Sequence, residues 1–375
     1  SEGHRRLANN SVAYTEKPDF ESFLSEMQNM YESKAGERGI FSRVAAQKIA
    51  ARNGRRDPEQ DFGTNPCSEI ILRSNQFCNL SEVVVRADDT VESLKKKVEI
   101  ATIIGTLQST LTDFRYLRNI WKKNTEEEAL LGVSLTGIMD NPLMTNTNKG
   151  LDKTLEHLRS IAVATNAEWA DRLGIPHSTA ITCVKPSGTV SQLVDSASGI
   201  HARHSPYYIR TVRGDNKDPL TQFMIDQGIP SEPDVMKPDA TTVFSFPMQS
   251  PMSAITRNDM TALEQLELWK TYALAWCEHK PSVTITVRDE EWMAVGAWVY
   301  ENFDICSGIS FLPHSDHTYA QAPYQEIDKE TYENLKKQMP SKIDWTALSL
   351  YEKEDSTNGS QTLACTSGAC EIVDI

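Results

Sequence analysis

Asn65-Pro66-Cys67-Ser68-Glu69, with Cys78 eleven positions after Cys67, is the stretch that decides how this chain is read. Pro66 has a fixed φ and no N–H, and it biases Asn65 towards extended backbone. Side chains alternate along extended backbone, so the spacing predicts that Asn65, Cys67 and Glu69 project from one side. An amide, a thiol and a carboxylate would then share a few ångströms. The amide can orient a hydroxyl, the carboxylate can take its proton, and the sulfur can do nucleophilic or radical chemistry. A lone cysteine beside a turn is more commonly structural. Three reactive types on one face, followed by a second cysteine, argue for a site.

Two further stretches carry chemistry. STAITCVKPSGTVSQL, residues 178–193, reads as a strand, a small turn and a helix start. Ser187, Gly188 and Thr189 fall where free N–H groups and hydroxyls suit a phosphate, although a plain helix cap has the same appearance. It is not a Walker A loop, which needs a longer glycine-rich run ending in Gly-Lys. The chain ends CTSGACEIVDI, with Cys365 and Cys370 five apart on a glycine-containing tail that is predicted to be mobile. That mobility lets the two thiols approach disulfide distance and meet an exchange partner.

Composition sets the bounds. With 375 residues, 39% apolar and 24% charged, the chain has ample material for a core. A formal charge of −14 disfavours general nucleic-acid binding. No apolar run is long enough for a membrane span and no signal peptide is evident, so the expected location is the cytoplasm. Seven cysteines without a CxxC pair make a poor disulfide framework, and neither a structural zinc site nor another metal site is expected.

Along the chain, helices are predicted over 18–35, from Ile40 to Arg52, over 91–112 with Ile100, Ile103, Ile104 and Leu107 on the apolar side, and over 151–173. Gly132 to Leu143 reads as a glycine-punctuated link. Strands are predicted at 179–184, 207–213, 241–247, 282–287 and 308–313, separated by helical segments, which argues for a parallel α/β sheet or barrel. His201 and His204 beside Arg203, Arg210 and Arg213 suggest an anion-facing or solvated surface more than a metal site. Tyr207 and Tyr208 alternate along a strand, one for the core and one for its rim. Cys183, Cys277 and Cys306 are assigned to the core.

NPCSEI followed by FCNLSEV resembles the finger loop of ribonucleotide reductases, in particular the adenosylcobalamin-dependent class II enzymes. Class I enzymes usually place Leu at the position of Pro66 and have a longer gap to the next cysteine. KPSGT, SGIHARHSPYYIRTVR and GISFLPHSDHTYAQAPYQEI extend the resemblance from about residue 40 to the C-terminus. It implies an α/β fold, the second half of the ten-stranded reductase barrel, with a flexible redox-active tail. The implied divisions are a helical lead-in over 1–60, the catalytic half-barrel over 61–357 and the tail over 358–375.

The resemblance also implies roles. Ribonucleoside di- or triphosphates are reduced to deoxyribonucleotides, with adenosylcobalamin as cofactor. A thiyl radical at Cys67 takes the ribose 3′-hydrogen, Glu69 accepts the 3′-OH proton, and Asn65 holds the hydroxyl region. Asn65, Pro66, Cys67, Ser68 and Glu69 line the ribose, while Pro186, Ser187, Gly188, Thr189 and Val190 hold the phosphates. Cys78 reduces the intermediate together with a partner cysteine, and Cys365 with Cys370 relays electrons from a thioredoxin- or glutaredoxin-type reductant. Family members are roughly twice as long, with the loop near their middle. A complementary N-terminal half chain, or removal of that half, is therefore expected, and Ser1 suits a cut or a spliced junction. The alternatives are an inactive split subunit and a fragment of a class I large subunit, which would need a tyrosine pair near the C-terminus.

Overall fold

A computed structural model of the chain describes residues 10–33, 38–314 and 320–352, which mix helix and strand. In chain order the elements are β1 (Asn10–Tyr14), α1 (Phe20–Ser33), β2 (Arg38–Ser42), α2 (Arg43–Arg52), β3 (Gly63–Thr64), β4 (Ile71–Leu72), β5 (Leu80–Val84) and α3 (Val91–Gln108). Next come α4 (Asn119–Glu128), β6 (Gly132–Thr136), α5 (Leu151–Leu173), β7 (Thr182–Cys183), α6 (Val190–Leu193), β8 (Tyr207–Asp215), α7 (Pro219–Asp226) and β9 (Ser231–Pro233). The last are β10 (Thr241–Gln249), α8 (Ala262–Ala275), β11 (Val283–Val287), α9 (Trp292–Glu301), β12 (Ile309–Pro313), β13 (Tyr324–Glu326) and α10 (Lys329–Gln338).

Two compact units are present. One holds the described residues up to 202 together with 253–314. In it β5, β6 and β7 pair in parallel, and a second sheet runs β1-β2-β12-β11. A parallel bridge between Val184 and Pro281 carries the end of β7 onto the start of β11. The strands thus follow one another as β5-β6-β7-β11-β12-β2-β1, parallel except where β12 meets β2. Helices α3, α5, α8 and α9 supply the apolar cover, centred on Trp269, Tyr272, Trp276, Val295 and Val299. Buried aromatic polar atoms find carbonyls: Trp276 Nε1 donates to Cys183 O at 2.8 Å and Trp269 Nε1 to Pro281 O at 2.7 Å.

The other unit holds 203–252 and the described part of 320–352. Here the strands expected to be parallel are antiparallel, in the order β13-β8-β10-β9. The chain turns back between β8 and β10, where Asn216 N donates to Ala240 O at 2.8 Å, so the two strands pair along their length from Thr241↔Asp215 to Gln249↔Tyr207. Tyr208 is buried and Tyr207 half-buried, as alternation along the strand requires.

Three local expectations change. The helix expected from Ile40 begins at Arg43, because 38–42 is a strand whose last residue, Ser42, caps the helix through Ala45 N. The glycine-punctuated link contains the fully buried central strand β6. On α3 the packed side runs from Leu94 and Val98 to the small residues Ala101, Thr102, Gly105 and Thr106, whereas Ile100, Ile104 and Leu107 are exposed. Close approach explains this: a Cβ on Gly105 would lie 3.2 Å from Leu131, and Thr106 Oγ1 accepts from Asn166 of α5. Among the described residues no helix is long and apolar enough to cross a membrane.

Candidate active site

The Cys67 loop is the tip of a minimal hairpin. Only Gly63↔Leu72 and Thr64↔Ile71 pair below it. Extended backbone does not continue through the tip, as the alternation argument required. Ser68 N donates to Asn65 O at 2.9 Å, closing a turn over Pro66 and Cys67, and Ser68 takes a left-handed φ of 64°. The turn still brings Asn65 and Glu69 together. Asn65 Nδ2 donates to Glu69 Oε1 at 2.6 Å, and Asn65 Oδ1 accepts from Ile70 N at 3.0 Å. Asn65 therefore orients the carboxylate and clamps the loop.

Glu69 is fully buried, and its second oxygen, Oε2, has no hydrogen-bond partner among the described residues. A buried acceptor left unpaired costs roughly 1–3 kcal/mol, and more when charged, so it marks a place where something binds. Lys185 also donates to Oε1, at 3.1 Å, and its charge interacts with the Cys67 thiol. Burial pulls the Lys185 ammonium towards neutrality, but the negative charge of Glu69 outweighs it and holds the group charged. Cys67 is half-buried and, like Cys78, in no disulfide.

Cys78 is exposed and opens into a cavity of about 360 Å³ lined in part by Phe77, Leu80, Leu111 and Phe114. Desolvation raises its thiol pKa, and Glu69 adds to the effect, so the sulfur is held in the protonated form. Cys183 and Cys277 are buried with strongly raised thiols, and Cys306 is pushed up to about 12 by burial, which suits inert core positions.

The hairpin rests on the connection between α8 and β11. Lys280 N donates to Glu69 O at 3.1 Å. His279 Nδ1 accepts from Ile71 N at 3.3 Å while Nε2 donates to Leu131 O at 2.8 Å, an arrangement of the neutral ring. Burial pushes His279 down to about 3 and Lys280 to about 7. The Lys280 ammonium donates to Ser307 Oγ at 2.9 Å and lies 4.6 Å over Phe41. Gly308 also touches the loop. Its φ is +79°, and a Cβ there would lie 3.0 Å from Ser68 O. Lys185, His279 and Lys280 were not singled out from the sequence. The signal was the polar triplet Glu278-His279-Lys280, which follows a helix ending at Ala275.

In the PSGT turn, Ser187 faces inward. Its N–H donates to Ser198 Oγ at 2.9 Å and its hydroxyl accepts from Ser191 N at 3.2 Å. Gly188, Thr189 and Val190 are exposed at the start of the short helix α6, and Pro186 is half-buried. His201 does not face an anion: it is half-buried and both ring nitrogens are engaged, Nδ1 with Ser198 O at 3.0 Å and Nε2 accepting from Thr284 N at 3.0 Å. Arg213 pairs with Asp234 at 2.8 Å. Among the described residues no cluster of three or more His, Cys, Asp or Glu side chains is placed to hold a metal ion. Cys365 and Cys370 lie outside the described residues.

With this geometry in hand, similarity to known proteins is informative. No protein-family model matches the chain. An adenosylcobalamin-dependent ribonucleoside-triphosphate reductase of Euglena gracilis is 31% identical over 307 residues, which is 80% of this chain and 41% of that protein. The reductase of the same name from Lacticaseibacillus paracasei is 27% identical over 412 residues, 98% of this chain and 53% of that protein. The chain thus spans about half the length of the curated relatives it matches. The fold is that of a crystallised B12-dependent (class II) ribonucleotide reductase, with a TM-score of 0.75 at 24% identity over 92% of this chain and 52% of the other.

Proposed function

We propose, from a chain related along nearly its whole length to the adenosylcobalamin-dependent ribonucleoside-triphosphate reductases, that it carries the radical-bearing half of a ribonucleotide reductase. The observation that carries this reading is the pair formed by Cys67 and Glu69. A half-buried thiol outside any disulfide shares the loop with a fully buried carboxylate that has one oxygen held by Asn65 and Lys185 and the other unpartnered.

The thiol and carboxylate fit the two tasks. Cys67, as a thiyl, takes the hydrogen from the ribose 3′ carbon, and Glu69 Oε2 accepts the proton of the adjacent hydroxyl. Asn65 keeps Glu69 Oε1 fixed, so the carboxylate does not rotate when its free oxygen is protonated. Cys78, held as a thiol, supplies reducing hydrogen with a second cysteine that reaches it through the open cavity. Gly188, Thr189 and Val190 offer exposed backbone at the turn for a substrate phosphate, while Ser187 shapes the turn from inside. Cys365 and Cys370 return the reduced state by exchange with a thioredoxin-type protein. The five cysteines of the described residues, in no disulfide, suit a reducing compartment such as the cytoplasm.

Adenosylcobalamin fits this site at the one atom it must reach. Cys67 is half-buried at the loop tip, while Asn65 and Glu69 are buried. When bound, the cofactor supplies the radical that Cys67 receives. The test is deoxynucleotide formation by the full-length protein given a ribonucleoside triphosphate, adenosylcobalamin and dithiothreitol. Cys67→Ser should abolish product while leaving the far-ultraviolet spectrum unchanged. Turnover by that variant refutes the assignment.

A further inference from the structure

We propose that Lys185 is a positioning residue of this site: its ammonium holds Glu69 Oε1, which leaves Glu69 Oε2 as the oxygen that meets substrate, and its charge offsets that of Glu69 at the neighbouring Cys67 thiol. The inference deepens the function proposed above and rests on it for the identity of the substrate.

The geometry is specific. Lys185 Nζ lies 3.1 Å from Glu69 Oε1, the same oxygen that Asn65 Nδ2 reaches at 2.6 Å, and its charge is coupled to that of Cys67. Two donors on one oxygen bias the carboxylate so that its negative charge is satisfied on one side only. The other oxygen, buried and without a partner, is left to receive a hydroxyl proton. An ion pair that served only the fold would have no reason to include the thiol or to leave Oε2 empty.

The lysine is itself held. Lys185 N donates to Ser134 Oγ at 2.8 Å on β6, and the preceding residue is bridged to β11, with Val184 N donating to Lys280 O at 3.2 Å and Ser282 N to Val184 O at 2.9 Å. Its backbone is thus fixed by two neighbouring strands. The same residue immediately precedes Pro186 and the exposed turn over Gly188 and Thr189, so one rigid segment joins the candidate phosphate turn to the reactive loop. The other titratable groups whose charge acts on this cluster are Cys78, Glu82, Cys183 and Lys280. All four remain when Lys185 alone is changed.

The deciding experiment reads the thiol without cofactor or substrate. In the full-length protein, the rate of Cys67 alkylation by iodoacetamide is followed by peptide mass spectrometry from pH 6 to 9 in wild type, Lys185→Met and Lys185→Arg. Removing the cation leaves Glu69 uncompensated beside the sulfur, so Lys185→Met should slow alkylation at pH 7 by about ten-fold, one unit in the thiol titration. Lys185→Arg should restore the rate to within about two-fold, since it keeps the charge. Should Lys185→Met lose its cooperative melting transition, Lys185→Gln takes its place, with the same slowing expected. Unchanged alkylation in the neutral variant, or equal slowing by Met and Arg, overturns the proposal. In protein that turns over, Lys185→Met should also lower kcat at least about ten-fold with KM nearly unchanged, the mark of a lost transition-state contact. A wild-type protein that makes no deoxynucleotide refutes the function, whereas the alkylation result still decides the role of Lys185.

Discussion

The backbone N–H of Lys280 donates to the carbonyl of Glu69 at 3.1 Å, so the carboxylate of the reactive loop is seated on the chain between α8 and β11. Next to it, His279 takes the N–H of Ile71 on the rising side of the same hairpin. The loop is thereby registered from below by two residues of a different element, and changes at either level should be felt in both stability and chemistry.

Glu69→Gln should lower kcat by roughly 10²–10⁴, the range for a lost general base, with KM nearly unchanged. The amide keeps the shape but cannot take the proton. Steady-state kinetics of the full-length protein check this, and an unaltered kcat would reduce Glu69 to a structural anchor.

Gly308→Ala should cost about 1–2 kcal/mol for the left-handed backbone alone, because its φ is +79°. The added Cβ would also press on the Ser68 carbonyl at 3.0 Å. Lower stability to urea together with reduced turnover is expected. Lower stability with full turnover would show that the loop does not depend on this contact.

Acid should loosen the seat of the loop through His279. Its folded-state pKa is lowered, from 6.5 to about 3, so the unfolded chain binds the extra proton first. Stability from this group is complete above pH 6.5 and is lost as pH falls towards 3. Urea titrations should show about 2–3 kcal/mol of loss from this group between pH 6.5 and 4, and His279→Gln should flatten that part of the profile. An identical pH slope in the two proteins would rule His279 out as its source.

Cys365→Ser combined with Cys370→Ser should spare the first turnover. Repeated turnover should then fail with thioredoxin and survive at least in part with dithiothreitol, since a small dithiol reaches the site directly. Equal loss with both reductants, or equal retention, would remove the relay.

Much of this was legible from short-range rules. Leu151–Leu173 and its terminal Gly174, with a φ of 66°, follow from three-and-four spacing and a left-handed cap. Asn65 and Glu69 were found for a partly mistaken reason, since a turn and not an extended run brings them together. What could not be read locally was set by partners far along the chain. The apolar spacing on α3 pointed to isoleucines, yet close approach to α5 selected the small residues. The antiparallel course of β8 and β10 depends on a return that helix and strand propensities do not encode. Lys185 meets Glu69 only because β7 delivers it there, and neither residue announces the other.

The hairpin bearing Cys67 has two rungs, too few to fix its own alignment. Its geometry is on loan from His279, Lys280 and Gly308, none of which needs to meet a substrate. Reactivity can therefore drift, or be tuned by design, through positions that an inventory of contacts would discard. Grafting residues 63–72 onto a foreign sheet would transfer the letters of the site without its arrangement.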